Sequence, residues 1–261
     1  MNSTTRTRPG RRLLLMSPVY AFLYLPILVL IAFSFNDSKY SVAWKGFTWD
    51  WYARLLENRG LMDAALNSVL VAVIAASLAT LLGTLAALAI YRYRFRGRGL
   101  LAGAMFVVMT IPDIVMGVSL LVLFLALGLS PGFWTLLAAH VTFCLPFVAV
   151  TVSARLMDFD SHLIEAALDL GASEYQALRR VVLPLILPAV AAGWLLSFTL
   201  SMDDVIVSFF TTGPTFEVLP LRIYALVRLG VKPDVNALSA LMFCVTVACV
   251  FAAQILLRKK R

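Results

Sequence analysis

The stretch from Ala64 to Tyr91, AALNSVLVAVIAASLATLLGTLAALAIY, holds no Asp, Glu, Lys or Arg. About 20 mostly apolar residues cross the roughly 30 Å of a bilayer's hydrocarbon at about 1.5 Å per residue, so this run is long enough to span a membrane as one helix. Within it Ala75, Ala79, Gly83 and Ala87 recur at every fourth position. That spacing puts small side chains on one face and lets another backbone approach closely. The expectation is a helix with that face buried in a bundle.

Three further runs, Leu13 to Phe35, Val181 to Met202 and Val235 to Leu257, are equally free of those charges. From Gly99 to Ala154 the only such charge is Asp113, and Gly128, Leu129, Ser130, Pro131 and Gly132 supply a turn midway. Two spans fit there, which makes six. The composition agrees: 61% of residues are hydrophobic and 14% charged, against about 45–50% and about 25% in soluble domains. The fold class expected is an all-α integral membrane protein of six transmembrane helices. Its parts are a basic terminus 1–12, a first span 13–35, a loop 36–63, a core 64–257 and a basic end 258–261.

Lys and Arg gather in cytoplasmic loops, and here they are unevenly shared. One side would carry Arg6, Arg8, Arg11, Arg12, Arg92, Arg94, Arg96, Arg98, Arg155, Arg179, Arg180, Arg258, Lys259, Lys260 and Arg261. The other has Lys39, Lys45, Arg54, Arg59, Arg222, Arg228 and Lys232. Every second loop then agrees with both termini on the cytoplasmic side, and the net charge of +8 reads as a topology signal in a lipid bilayer, with no nucleic-acid partner expected. Arg6 to Arg12 resembles the basic start of a signal peptide. The apolar run after it is too long and lacks a small-residue cleavage site, so it reads as a retained helix. Cys144, Cys244 and Cys249 fall inside spans, which leaves neither a disulfide framework nor a metal site to expect.

The loop Asn36 to Asp63 carries Trp44, Trp49, Trp51 and Tyr52 among balanced charges. Thr48 is placed to cap a short surface helix through Leu56. The aromatic residues suit a belt at the lipid headgroups or contact with a partner or a cationic substrate. Pro112, Pro146, Pro184 and Pro188 lie in or near spans three, four and five, where each permits a bend. No repeat of 20 to 50 residues is visible.

The longest loop between spans on the cation-rich side, 155–180, is patterned as a helical hairpin. Asp160 or Ser161 can cap a first helix whose apolar stripe is Leu163, Ile164, Ala167 and Leu168, and Gly171 suits the left-handed position that ends it. Ser173 and Gln176 have the spacing of a capping box, so a second helix should start at Glu174 and run into span five.

Glu165, Ala166, Ala167, Gly171, Val181, Leu183 and Pro184 together resemble the EAA loop of ABC-importer permeases, with Val181 where that pattern usually has Ile. The resemblance implies the type I importer permease fold and a bacterial inner-membrane location. It also implies that Glu165, Ala166, Ala167 and Gly171 couple the chain to an ATPase. Implied partners are a homologous second permease, two ATP-binding subunits on the cytoplasmic side and a periplasmic polyamine-binding protein. No cofactor is expected on this chain, ATP and Mg being held by the partner ATPase. Tyr91 to Gly97, Pro112 to Met116, His140 to Pro146, Ser197 to Asp204 and Val235 to Leu238 resemble segments of the second-permease branch of the spermidine/putrescine importers.

Ionisable groups within a bilayer are costly and usually face a cavity or a partner. Asp113, Asp203 and Asp204 are the three here. Measured along straight helices, Asp113 would lie roughly 21 Å into span three and Asp203 roughly 33 Å into span five, a similar outer level suited to an entering cation. Thr199 shares a face with Asp203 and Ser201 with Asp204, while neighbours differ by about 100° around a helix. At most one of the paired acids should therefore point at a pathway. The pathway set is Asp113, Ser201, Asp203 and Asp204, with Trp44, Glu217 and Tyr224 as weaker candidates. A purely local role, capping a break or ending span five, fits the same acids. His140 on an apolar helix reads as a satisfied interhelical donor or a proton relay.

No G-x-x-x-x-G-K-[ST], G-x-S-x-G, H-E-x-x-H or C-x-x-C pattern occurs. The chain is therefore expected to be no enzyme, with ATP hydrolysis on another chain. A permease for another solute, or a secondary transporter acting alone, is the remaining alternative, and only the hairpin at 155–180 separates the latter from an importer subunit.

Overall fold

The computed structural model describes residues 9–38, 43–158, 160, 162–228, 235–244, 247 and 251, with side chains from Met16 onward. The expected basic ends 1–12 and 258–261 therefore lie largely or wholly outside the described residues, as do Lys39, Ser161, Lys232 and Cys249. Among the described residues the regular structure is helical, with one isolated bridge between Asn36 and Phe47. They fall into two compact units, one of Gly60–Tyr224 and one of the described parts of 1–59 and 225–261.

In the second of these units α1, Pro9–Phe33, carries Arg11 and Arg12 in its first turn and no charge beyond them, and none of its Met16–Phe33 stretch is buried. The loop after it is built around Asn36, whose amide donates to the Ala43 carbonyl at 2.7 Å and accepts from the Lys45 N–H at 2.8 Å. Trp51 Nε1 donates to the Asn36 carbonyl at 2.8 Å. Phe35 collects the rings of Phe47, Trp49 and Tyr52 at centroid distances of 5.3, 4.8 and 5.2 Å. The expected surface helix is α2, Asp50–Glu57, and the Thr48 hydroxyl accepts from the Asp50 N–H at 3.1 Å. It lays Leu55 inward and sets the Arg54 guanidinium 5.1 Å from the Trp51 ring centre.

The other unit is nearly all bundle. Helix α3, Arg59–Arg92, starts earlier than expected and takes Arg59 and Asp63 into its first turns. Its Ala75, Ala79, Gly83 and Ala87 are all buried, as the four-residue spacing requires. A Cβ on Gly83 would stand 2.8 Å from the Leu145 carbonyl and 2.9 Å from Val148 Cβ; one on Gly193 would stand 3.1 Å from Val148 Cγ1. Val148 lies in α6, Phe133–Met157, and Gly193 in α9, Leu183–Asp203. Three helices thus meet at one valine.

Helices α6 and α9 run antiparallel, tied at successive levels. His140 meets Ser201, Cys144 Sγ donates to the Ser197 carbonyl at 3.5 Å, and Arg155 Nε donates to the Leu185 carbonyl at 3.4 Å. The turn at 128–132 is present, with Gly128 at φ +71°.

The expected straight third span is not observed. It divides into α4, Arg98–Thr110, and α5, Asp113–Ala126, which meet at 117°. Pro112 has no N–H to give, and it holds Ile111 before it in an extended conformation. The rise measured from Gly99 therefore assigns no depth to Asp113. Span five likewise ends at Asp203 and gives way to α10, Ile206–Thr211, a helix the apolar run had concealed. Beyond it α11, Leu219–Arg228, occupies what reads as loop. The Ser68 hydroxyl accepts from the Leu219 N–H at 2.7 Å, and Asn67 Nδ2 donates to the Glu217 carbonyl at 3.0 Å.

Among the described residues four helices are long and apolar enough to cross a membrane, or five if α4 and α5 form one broken span. The sixth expected span, Val235 to Leu257, is described as an apolar helix over Val235–Cys244. The rest of that run lies mostly outside the described residues.

Candidate functional site

The hairpin closes by local chemistry. Asp160 Oδ1 accepts from the His162 N–H at 3.0 Å, and α7 runs from His162 to Asp169. Gly171 stands at φ +87°, its N–H donates to the Leu168 carbonyl at 2.9 Å, and the Ala172 N–H donates to the Ala167 carbonyl at 3.0 Å. These paired bonds are the left-handed glycine ending of a helix. Across the turn the Gln176 N–H donates to Ser173 Oγ at 3.3 Å, and the Ser173 N–H to Gln176 Oε1 at 3.0 Å. The second helix, α8, Glu174–Ala177, continues through a π-helical turn at Leu178–Val182 into α9. Glu165 and Ala166 are exposed and Ala167 partly so. Glu165 lies 3.4 Å from His162 Nδ1 one turn earlier, an exposed pair of little energetic weight.

The acids separate where α9 stops. Asp203 is exposed, as is Thr199 one turn before it, whereas Ser201 and Asp204 are buried. Asp204 starts the next helix: Oδ1 accepts from the Val207 N–H at 3.2 Å and Oδ2 from the Ser208 N–H at 2.7 Å. His140, only 2% exposed, places Nδ1 2.7 Å from Ser201 Oγ and Nε2 3.0 Å from Ser208 Oγ and 3.5 Å from Asp204 Oδ2. Of the two sequence readings for His140, the one with partners between helices describes this position.

Asp113 opens α5 and is exposed. It lies within electrostatic range of Asp203, and neither has a cation within 4.0 Å among the described residues. Helix α5 reaches α10 through Gly117, where a Cβ would stand 2.8 Å from Phe210 Cδ2 and 3.4 Å from Val207 Cα. So the structure brings Asp113, Asp203 and Asp204 into one neighbourhood but exposes only the first two.

The weaker candidates are elsewhere. Glu217 accepts from Arg222 Nη1 at 3.0 Å, Tyr224 is exposed, and Trp44 packs edge-on to Phe33 in the other unit. Among the described residues no three His, Cys, Asp or Glu side chains are grouped to hold a metal ion. Sequence reading missed Ser208 and the cap on α10. The available signal was Asp204 standing before Val205 to Ser208, a carboxylate placed to accept from the N–H groups of a new helix.

Apolar helices long enough to cross a membrane, two of them broken at carboxylates, with an exposed helical hairpin at one end of the bundle, describe a membrane protein rather than a soluble module. The chain belongs to the family of binding-protein-dependent transport system inner membrane components, whose pattern matches residues 79–259. It is 56% identical over 245 residues to the spermidine/putrescine transport system permease protein PotC of Escherichia coli K12, covering 94% of this chain and 93% of that one. The putrescine transport system permease protein PotI of the same organism is 40% identical over 249 residues, with 93% and 89% covered. In three dimensions the chain resembles a chain of the bacterial alginate ABC transporter in complex with alginate pentasaccharide-bound periplasmic protein. The TM-score is 0.75 at 18% identity, covering 95% and 93%, a likeness of fold alone.

Proposed function

We propose that this chain forms half of the translocation pathway of an ATP-driven polyamine importer. The observation that carries the reading is the pair of exposed carboxylates, Asp113 and Asp203, set at two breaks in otherwise apolar helices, with no cation within 4.0 Å of either among the described residues. A charge in lipid is costly and is retained where it faces a cavity or a partner. Two such acids suit a solute bearing two or three ammonium groups. The identity to permeases named for spermidine and putrescine supports the same substrate class. In this reading Asp113 and Asp203 meet the cation, while Ser201 and Asp204 support the wall behind them. Trp44, Glu217 and Tyr224 are secondary candidates.

The six-span topology with both ends cytoplasmic and the inner-membrane location belong to the same proposal. Glu165, Ala166, Ala167 and Gly171 dock an ATPase that holds ATP and Mg on the cytoplasmic side. A similar permease completes the pathway, and a periplasmic polyamine-binding protein delivers the solute. The slim alanine face of α7 and the closed turn at Gly171 support that docking role.

The test is labelled polyamine uptake per assembled complex in vesicles. Asp113→Asn and Asp203→Asn should each lower it, because they remove charge while nearly keeping size. Asp204→Asn should instead deplete assembled protein. Unchanged uptake per complex in the first two variants would remove the pathway.

A further inference from the structure

We propose that His140 is a positioning residue that fixes the separation of the Asp113 and Asp203 carboxylates and thereby biases transport between diamines and triamines. The inference rests on the pathway role given above to those two acids.

Where α9 ends and α10 begins, the helical hydrogen-bond ladder is interrupted at Asp204 and Val205. Such a joint has two soft dihedrals at each residue, so something outside it must set the angle. The imidazole of His140 does so from α6. One nitrogen reaches Ser201 in the last turn of α9 at 2.7 Å, and the other reaches Ser208 in the first turn of α10 at 3.0 Å. A flat ring with nitrogens on opposite sides holds the two hydroxyls at a nearly constant distance, in either tautomer, because each hydroxyl can donate or accept. Asp204 belongs to the joint itself: its oxygens accept from the N–H groups that begin α10, and Oδ2 lies 3.5 Å from the same ring nitrogen that meets Ser208.

From this joint two rigid paths lead to the exposed acids. Asp203 lies two residues beyond Ser201 on the same helix end. Asp113 is reached through α10 and Gly117, whose missing side chain lets the Phe210 ring and the Val207 backbone of α10 pack directly against α5. Gly117 is one turn of α5 from Asp113, about 6 Å along the helix axis. Both acids are therefore anchored to one buried ring. A diamine and a triamine carry their charges at different spacings, so a change in the distance between carboxylates alters their relative passage.

The experiment uses the whole complex in vesicles, with putrescine and spermidine each supplied at saturating binding protein so that the binding protein's own preference drops out. His140→Leu, His140→Gln and Ser208→Ala are compared with the unaltered chain, all rates taken per assembled complex. His140→Leu and Ser208→Ala should shift the putrescine-to-spermidine rate ratio by roughly fivefold, the equilibrium weight of one hydrogen bond. His140→Gln, which can keep one bond, should lie between. A merely structural role would lower the amount of complex and leave the ratio as it was. An unchanged ratio in both His140→Gln and Ser208→Ala overturns the inference even where His140→Leu fails to assemble. Asp203→Asn in the same vesicles separates the two levels. Lost uptake there with an unchanged ratio in the His140 and Ser208 variants defeats only the inference; normal uptake there removes the pathway reading and the inference with it.

Discussion

The turn at Leu170 to Ala172 and the break at Asp204 and Val205 both stop one helix and start another, by opposite means. The turn is closed by its own neighbours: the bonds that make it lie within Ala166 to Gln176. The break is held from across the bundle, by a ring 61 residues before Ser201 and 68 before Ser208. The groups that hold the break, His140, Ser201, Asp204 and Ser208, are buried, whereas the turn is exposed. An exposed interruption can lose a bond and recover much of it from water. A buried one cannot, so the same kind of change should cost far more at the break.

The largest effect is expected from Asp204→Ala. It strips the acceptors from two buried N–H groups, at about 1–3 kcal/mol each, and leaves His140 without the carboxylate beside it. The thermal unfolding temperature in detergent should fall steeply; a stability like that of the unaltered protein would mean that the break is held by packing alone. Gly117→Val comes next, at about 1–3 kcal/mol, because its side chain must displace Phe210 or the α10 backbone. Its expected sign is reduced yield of folded protein together with looser α5, read as faster amide exchange over Asp113–Ala126. Unaltered exchange there would detach α5 from the break.

At the turn, a Cβ on Gly171 meets nothing within 4 Å, so Gly171→Leu carries only the backbone cost of about 1 kcal/mol. Insertion and folding should survive while uptake is lost, because the turn would no longer present α7 in the docking geometry. Normal uptake would dissociate the hairpin from coupling. The smallest change is Arg92→Ala. It opens a 3.5 Å pair with Glu174 whose side chains are 46% and 68% exposed, and it should alter stability by less than about 0.5 kcal/mol. A larger loss in the same melting assay would show that the hairpin leans on α3 more than its exposed bonds indicate.

The same contrast decides what could be read in advance. Gly171, Ser173 and Gln176 announce the hairpin because their partners sit within a few residues, and the four-residue spacing from Ala75 to Ala87 announces a buried face. Pro112 marks a possible bend, but nothing nearby in sequence fixes 117°, and so the depth assigned to Asp113 along a straight rod had no basis. Ile206 to Thr211 looks like the tail of an apolar span; only the seating of Asp204 under its first N–H groups shows it to be a separate helix. Asp203 and Asp204 differ in exposure because α9 ends between them and Asp204 is extended, so the 100° step of a continuing helix does not describe the pair. Which one is buried depends on His140, and no local pattern ties a histidine to serines more than 60 residues away.

The meeting of α3, α6 and α9 at Val148 has a mechanical consequence. Gly83 and Gly193 let α3 and α9 press against α6 around Val148, while α6 and α9 are also tied on either side of that level, at His140 to Ser201 and at Arg155 to Leu185. Rods fastened at several heights cannot scissor about one point; they shift together, as a bound sheaf does. A methyl group added at either glycine would be a wedge driven into that sheaf.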